Sequence, residues 1–106
     1  MSSNPEDLKL ATLAKATMAR SQSSSAAALR DETGRTYVAI PVSIQDFNVD
    51  AIHAVLVVAL ASQITGIEGI VVVGLQPAKE SLARVKSFSP TATVYWVNSG
   101  EELELL

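Results

Sequence analysis

The chain has 106 residues, a net charge of −3 and no cysteine, and 48% of its residues are hydrophobic although very few are aromatic. This length corresponds to a single domain over residues 1–106, and the acidic balance provides no basic surface for a nucleic-acid partner. The lack of cysteine excludes disulfides and thiolate metal ligands, and the polar, acidic N-terminus, which has no apolar leader, predicts a cytoplasmic location.

The first predicted element is a helix from Asn4, its N-cap, to about Arg20, preceded by a frayed tail over residues 1–3. Pro5 suits the first helical position, and acidic residues follow in the first turn, where they favour the positive end of the helix dipole. One apolar stripe predicts that this helix packs on the core; it comprises Leu10, Leu13, Ala14, Thr17 and Met18.

A hairpin is predicted next. The serine-rich residues 21–25 form a flexible linker, and three segments follow it: a strand over residues 26–30, a turn over residues 31–34 and a partner strand over residues 35–44. Pro41 cannot donate a main-chain hydrogen bond, so the partner strand is expected to lie at a sheet edge or to bulge there. Residues 45–49 are predicted to form a loop.

The longest apolar run, Asp50 to Gly66 (DAIHAVLVVALASQITG), is predicted to form a central helix. It is too long for an ordinary strand, Asp50 suits the N-cap, and Gly66 suits a left-handed C-cap. Because almost no polar face interrupts the run, we expect burial on most of its circumference. A membrane span is rejected, since it needs about 20 apolar residues and His53, Ser62 and Gln63 interrupt this run.

The last third of the chain predicts a strand, a helix and a second strand. Residues 69–74 (GIVVVG) show the continuous apolar pattern of a strand buried on both faces, Pro77 opens a helix that ends before Pro90, and residues 93–97 form the next strand. Short connections imply a parallel pair with a right-handed crossover. Residues 101–106 form a stub, interpreted as one helical turn. The order α-β-β-α-β-α-β predicts a two-layer or three-layer α/β sandwich on a mixed sheet.

This layout, together with two short motifs, resembles the cytidine deaminase family. Residues 26–29 and 34–38 are similar to the family's first hairpin. The segment His53-Ala54-Val55 stands where the family carries Cys-Ala-Glu or His-Ala-Glu. The segment Pro77-Ala78-Lys79-Glu80-Ser81 stands where the family carries Pro-Cys-x-x-Cys at a helix start. The resemblance implies a cytidine deaminase-like α/β/α sandwich and assembly into a dimer or tetramer.

The resemblance also implies which residues stand at the family's zinc site. In the family, one His or Cys and two Cys hold zinc, and a glutamate that is not a ligand shuttles protons while the activated water attacks the pyrimidine ring. His53, Ala78 and Ser81 stand at the ligand positions and Val55 at the glutamate position. Ala78 has no donor atom, a serine hydroxyl is a poor zinc ligand, and one imidazole cannot hold the ion. We therefore expect no cofactor, although the family implies zinc.

The family's substrate contacts have weak counterparts in this sequence. The Asn and Glu that hold the ribose correspond to Pro41 and Ser43, and the aromatic residue that lies on the base corresponds to a serine within residues 23–25. Ser43 is therefore the predicted substrate-binding residue.

Other interpretations of the same residues remain open. His53 is either a zinc ligand or a buried histidine that hydrogen-bonds a backbone carbonyl, and the lack of cysteine favours the second. Ser81 could act as a nucleophile with His53 as its base, although it is expected to lie a turn inside its helix. Lys79, Arg84 and Lys86 could bind an anion near that helix start or simply face solvent.

Two functions follow from the sequence. The first is a catalytically inactive cytidine deaminase-like protein that assembles with itself as a dimer or tetramer and has a structural, regulatory or binding role, including binding of a nucleoside or nucleotide without turnover. The second is a hydrolase, a residual cytidine or nucleoside deaminase that uses His53 in a modified site. Neither function involves a nucleic-acid or membrane partner.

Overall fold

The computed structural model describes residues 4–106, so the tail predicted over residues 1–3 lies outside the described residues. Over this range the elements are α1 (Pro5–Ser21), β1 (Ser25–Asp31), β2 (Thr36–Ala39), β3 (Val42–Ile44), β4 (Phe47–Val49), α2 (Ala51–Ala61), β5 (Ile67–Gly74), α3 (Lys79–Phe88), β6 (Thr93–Val97) and β7 (Leu103–Leu105). Five strands form one sheet in the order β2-β1-β5-β6-β7, and β3 pairs with β4 in a separate hairpin.

The large sheet is mixed, because β5 and β6 are parallel whereas the other neighbouring strands are antiparallel. Successive side chains of a strand point to opposite faces. Ala26 and Ala28 of β1 accordingly pack with Leu10 of α1, and Leu29 packs with Ile52 of α2 on the other face. Helix α3 adds to this second layer. The structure thus confirms the predicted α/β fold with a mixed sheet and adopts the three-layer form of the sandwich.

The structure confirms the first part of the predicted partner strand, because β2 pairs antiparallel with β1 and lies at the sheet edge, as Pro41 indicated. Its predicted extent to residue 44 and the loop predicted over residues 45–49 are wrong. The large sheet loses this strand after Ala39, next to Pro41, and the chain turns back on itself to form the β3–β4 hairpin. Its turn consists of Gln45 and Asp46, and Gln45 adopts a left-handed backbone conformation with φ of 52°. No glycine marks this turn, so the sequence carries no clear signal for it.

The predicted end of the central helix is also wrong. Helix α2 stops at Ala61 with Ser62 as its C-cap, and Gly66 instead lies against the side chain of Glu32, where a Cβ atom would clash with the carboxylate. The third helix begins at Lys79 rather than at Pro77. Residues 101–106 do not form a helical turn, because Leu103 to Leu105 pair with β6 as an edge strand.

The expectation that the central helix is buried on most of its circumference is wrong for the single chain. Ile52 and Val55 face the sheet and are buried, whereas Val57, Val58 and Leu60 are exposed, Val57 by 65%. Within residues 4–106, no helix combines the length and the apolar character that a membrane crossing requires.

An ion-pair network ties α1 to the sheet. Arg30, near the end of β1, has its Nη2 atom 3.1 Å from Asp7 Oδ1 and its Nε atom 2.5 Å from Glu68 Oε1. Burial opposes the charge of Arg30, but hydrogen bonds with Glu68 and Asp7 outweigh this cost, so the pKa of the guanidinium is raised. The Arg30 and Asp7 side chains are 6% and 7% exposed, whereas that of Glu68 is 57% exposed.

We expect Asp7→Asn to lower the free energy of unfolding by about 3 kcal/mol, because it removes a buried partner of the guanidinium. The matched control Glu68→Gln removes the exposed partner and should cost at most about 1 kcal/mol. Urea unfolding of both variants measures the difference. Equal losses in the two variants would contradict the expectation that the buried Asp7 stabilises the fold more than the exposed Glu68 does.

Candidate functional site

The beginnings of α2 and α3 lie beside each other and form one wall of a cavity of about 430 Å³, which the β3–β4 hairpin closes on another side. The residues that line this cavity, named here the main cavity, are Pro41, Val42, Ser43, Asn48, Val49, Asp50, His53, Ala78, Glu80 and Ser81. A smaller cavity of about 230 Å³ shares Pro41, Asp50 and Ala78 with it and reaches Ser24 and Ser25. Hence the residues singled out for this site by the sequence, other than Val55, line these two adjoining cavities.

The carboxylate of Asp50 joins the two helix beginnings. Its Oδ1 atom accepts a hydrogen bond from the backbone N–H of His53 at 2.8 Å, which caps α2 as the sequence predicted. The imidazole Nδ1 atom of His53 lies 3.0 Å from the same oxygen. The Oδ2 atom accepts a hydrogen bond from the hydroxyl of Ser81, which lies in the first turn of α3. We refer to Asp50, His53 and Ser81 as the Asp50 cluster.

The Asp50 cluster does not contain a serine nucleophile paired with a histidine base. Such a pair needs the hydroxyl to donate to the imidazole, with the carboxylate on the far side of the ring. Here the carboxylate stands between the two side chains, and the Ser81 hydroxyl donates to Asp50. Ser81 is also only 2% exposed. Its position in the first turn corrects the expectation that it lies a turn inside, because α3 begins at Lys79.

His53 is not the buried, carbonyl-bonded histidine that the sequence favoured. Its side chain is 30% exposed, and its close partner is the Asp50 carboxylate. The sequence contained part of this signal, because an N-cap aspartate lies close to the side chain three residues later in the first helical turn. The bond from Asp50 to Ser81 had no such signal, since it joins residues 31 positions apart.

The ligand positions implied by the resemblance come together around the main cavity, where His53, Ala78 and Ser81 all contribute to the wall. In the part of the chain that the structure describes, no group of three or more His, Cys, Asp or Glu side chains is placed to hold a metal ion. Val55, at the position of the family's glutamate, is fully buried in the apolar core between α2 and the sheet.

Two polar residues of the hairpin face the main cavity. Ser43, the predicted substrate-binding residue, donates its hydroxyl hydrogen to Asn48 Oδ1 at 2.6 Å across the β3–β4 pair. Asn48 was missed by the sequence analysis, because the loop predicted over residues 45–49 gave no reason to place it opposite Ser43. The hairpin therefore supplies hydrogen-bonding groups on the side of the cavity that faces the Asp50 cluster.

The basic residues of α3 do not gather at its beginning. Lys79 is the first helical residue, but Arg84 and Lys86 lie in later turns, and Lys86 donates to the backbone carbonyl of Ala92. As formed by residues 4–106, neither cavity is lined by a lysine or an arginine. The anion site considered for these three residues is therefore not assembled, and the cavities suit an uncharged ligand better than a phosphorylated one.

Comparisons with known proteins relate the whole architecture to one family. A family model described as "Cytidine deaminase-like" matches residues 3–100. Cytidine deaminase from Bacillus anthracis has a TM-score of 0.78 and 15% identity, with 97% of this chain and 83% of that chain covered. Cytidine deaminase from Mycobacterium leprae has a TM-score of 0.72 and 13% identity, with 92% and 90% covered. A search among curated protein sequences found no match.

We expect Ser81→Ala to lower the free energy of unfolding by about 1.5–3 kcal/mol, because it leaves one oxygen of a charged carboxylate without its donor. In a double-mutant cycle with Asp50→Ala, the two substitutions should be less than additive by about 1 kcal/mol. The control Ser43→Ala removes an exposed hydroxyl and should change stability by at most about 0.5 kcal/mol. Additive effects of Asp50→Ala and Ser81→Ala would show that the two side chains are not coupled.

Proposed function

The chain belongs to the cytidine deaminase-like family, and from this premise we propose that it is a member without deaminase activity that acts as a self-associating structural or binding protein. The observation that carries the proposal is the Asp50 cluster. At the junction of α2 and α3, a carboxylate accepts hydrogen bonds from His53 and Ser81. The polar groups at this junction are thus bonded to one another.

The donor set does not fit a catalytic zinc. Such an ion takes three protein ligands and keeps a fourth position open for water. His53 supplies one imidazole, Ala78 supplies no donor atom, and the hydroxyl of Ser81 is bonded to Asp50. A neutral hydroxyl is also a far weaker ligand than the thiolates at the corresponding positions of the family.

The chain also lacks the group that would move protons during deamination. A positioned proton shuttle contributes roughly 10²–10⁴ to a rate, and a metal-bound hydroxide supplies the nucleophile itself at neutral pH. Val55 stands at the shuttle position and is fully buried among apolar side chains. A carboxylate at this position would enter the core between α2 and the sheet, so the local packing supports a non-catalytic role.

Self-association is supported by the outer side of α2. This helix contains no Asp, Glu, Lys or Arg, and Val57, Val58 and Leu60 are exposed on it. Contiguous apolar surface of this kind marks interaction sites on monomeric chains. A second copy of the chain would remove this surface from water.

One observation favours the alternative, a residual hydrolase. His53 keeps a carboxylate partner at 3.0 Å and lies on the wall of an open cavity, as a general base does. Turnover of cytidine that is lost in His53→Ala would favour this alternative and would overturn the non-catalytic proposal.

Metal content and turnover test the non-catalytic role. We expect the purified protein to retain less than about a tenth of an equivalent of zinc, and to leave cytidine unchanged, because three protein ligands are needed. The double variant Ala78→Cys with Ser81→Cys should bind about one equivalent, because it completes a His and two Cys set. Elemental analysis after dialysis measures both, and circular dichroism verifies that the variants fold.

The single variant Ala78→Cys is the matched control, because it adds one thiol but completes only two ligands. Stoichiometric zinc in the unmodified protein would overturn the proposal. Failure of the folded double variant to bind zinc would show that the three positions do not converge, and would remove the basis for comparing this junction with a metal site.

Self-association is tested by light scattering coupled to size-exclusion chromatography. We expect a dimer or tetramer at micromolar concentration, and a shift to monomer in Val57→Lys, because a charge would be placed in the apolar contact. Lys79→Glu, on the exposed side of α3, serves as the control and should leave the assembly unchanged. A monomeric unmodified protein would overturn this part of the proposal.

A further inference from the structure

Strand β7 forms an open edge of the large sheet. The backbone groups of Glu102 and Leu106, at the two ends of this strand, bond to the β6 side of the sheet. Main-chain groups of successive strand residues point alternately to the two sides, so those of Glu104 also face β6 and those of Leu103 and Leu105 point outward. In the part of the chain that the structure describes, no other strand pairs with this outward side. The edge therefore presents the N–H and C=O groups of both leucines to a partner.

The turn before β7 holds this strand in position without a partner. The Oδ1 atom of Asn98 accepts hydrogen bonds from the backbone N–H groups of Gly100, at 2.9 Å, and of Glu102, at 3.2 Å. The Lys15 ammonium of α1 pairs with the Glu101 carboxylate at 2.7 Å. Because the edge is already ordered in the single chain, a docking segment loses none of its binding free energy to ordering β7.

The two faces of this edge differ in chemical character. On the face toward α1, Leu105 is 59% exposed beside the half-buried Tyr95, its partner in β6. On the opposite face, Glu102 and Glu104 are exposed, and within residues 4–106 neither forms an ion pair with a lysine or an arginine. Glu104 accepts one hydrogen bond, from the amide of Asn98 at 3.4 Å. The edge thus offers an apolar contact on one face and two carboxylates without a counter-charge on the other.

The two glutamates make a second copy of this chain an unfavourable occupant of the edge. Across a new antiparallel pair, outward-pointing residues bond to outward-pointing residues. A pair of β7 strands that engages Leu103 therefore aligns it with Leu103 or with Leu105 of the other copy. The first alignment sets Glu102 opposite Glu104, and the second sets Glu104 opposite Glu104. Like charges directly opposite each other destabilise a strand pair, so these side chains oppose edge-to-edge pairing of copies and favour a strand of positive charge.

We propose that β7 is a docking edge for an extended segment of a different protein, in which basic and apolar residues alternate. The segment adds a strand antiparallel to β7 and bonds to the outward N–H and C=O groups of Leu103 and Leu105. Main-chain bonds give such a complex its affinity, and alternate side chains give it specificity. The apolar side chains of the segment cover Leu105, and its Lys or Arg side chains lie opposite Glu102 and Glu104.

This interaction goes beyond the self-association proposed above and is independent of it. Neither the main cavity nor the smaller cavity includes a residue of β6 or β7, and the apolar side of α2 lies on a different element. The net charge of −3 also favours the approach of a basic segment over that of an acidic one.

The experiment measures binding of a fluorescein-labelled peptide, Thr-Lys-Val-Lys-Val-Lys-Thr, to the full chain by fluorescence anisotropy. The same peptide with both valine nitrogens methylated should bind at least about tenfold more weakly, because it keeps its charge but cannot donate the two hydrogen bonds to the edge. A peptide of equal composition with its lysines grouped, Lys-Lys-Lys-Thr-Val-Val-Thr, should also bind more weakly, because its side chains do not alternate between two faces.

Variants of the chain locate the peptide. Glu104→Lys should weaken binding by about fivefold or more, because it sets lysine opposite lysine. The matched control Asp46→Lys makes the same charge change in the turn of the separate β3–β4 hairpin and should alter binding by at most about twofold. Leu105→Pro removes an outward N–H that β6 does not use, and it should bind the peptide about fivefold more weakly than Leu105→Ala, which keeps this N–H. Circular dichroism verifies that each variant folds.

Hydrogen exchange shows what covers the edge. The amide of Leu105 should exchange rapidly in the chain alone and at least about tenfold more slowly with saturating peptide, because the added strand accepts its hydrogen bond. Slow exchange in the chain alone that speeds up on dilution would show that a second copy covers β7, and would overturn the proposal. Equal binding of the alternating, methylated and grouped peptides would show attraction by charge alone, and absence of binding would show an edge without this partner; either result also overturns it.

Discussion

The carboxylate of Asp50 is the contact on which the arrangement of the site depends. It lies where α2 and α3 both begin, and the positive ends of two helix dipoles favour a negative charge there. Asp50 caps the first helix through the backbone of His53 and holds the second through the hydroxyl of Ser81. In the family that the sequence resembles, one His or Cys and two Cys stand at the corresponding helix beginnings, and zinc joins them. In the role proposed here, one carboxylate joins the two helices directly.

The sequence predicts the layers of the fold well, because most elements carry local signals. Asn4 and Pro5 mark the start of α1, Asp50 marks the start of α2, and the apolar run in β5 is buried on both faces as its composition indicates. Strands β3, β4 and β7 are missed for a common reason. Each is three residues long, and the pairing of such short strands depends on neighbours distant in the chain, such as β6 for Leu103 to Leu105.

The candidate site is predictable only in part for the same reason. The resemblance indicates that His53, Ala78 and Ser81 share a wall, and all three line the main cavity. It gives no indication that Asp50 is bonded to Ser81 or that Asn48 lies opposite Ser43, because both contacts arise from the positions of elements relative to one another. The apolar pattern of α2 is ambiguous in a different way: hydropathy indicates that a surface avoids water, but not whether the same chain or another covers it.

Helix α2 contributes to the wall of the main cavity and also carries the exposed Val57, Val58 and Leu60. Most substitutions at exposed positions of a monomeric helix change stability by at most about 0.5 kcal/mol, so a charged side chain at Val57 or Val58 would carry little penalty in an isolated chain. The chain instead presents valine at both positions, and it does so beside a cavity whose donors do not fit a metal. In the role proposed here, contact with a second copy is the constraint that keeps this side of α2 apolar, and His53, on the wall of the main cavity, lies beside it. In that proposed role, the main cavity recognises or holds a ligand and does not transform it.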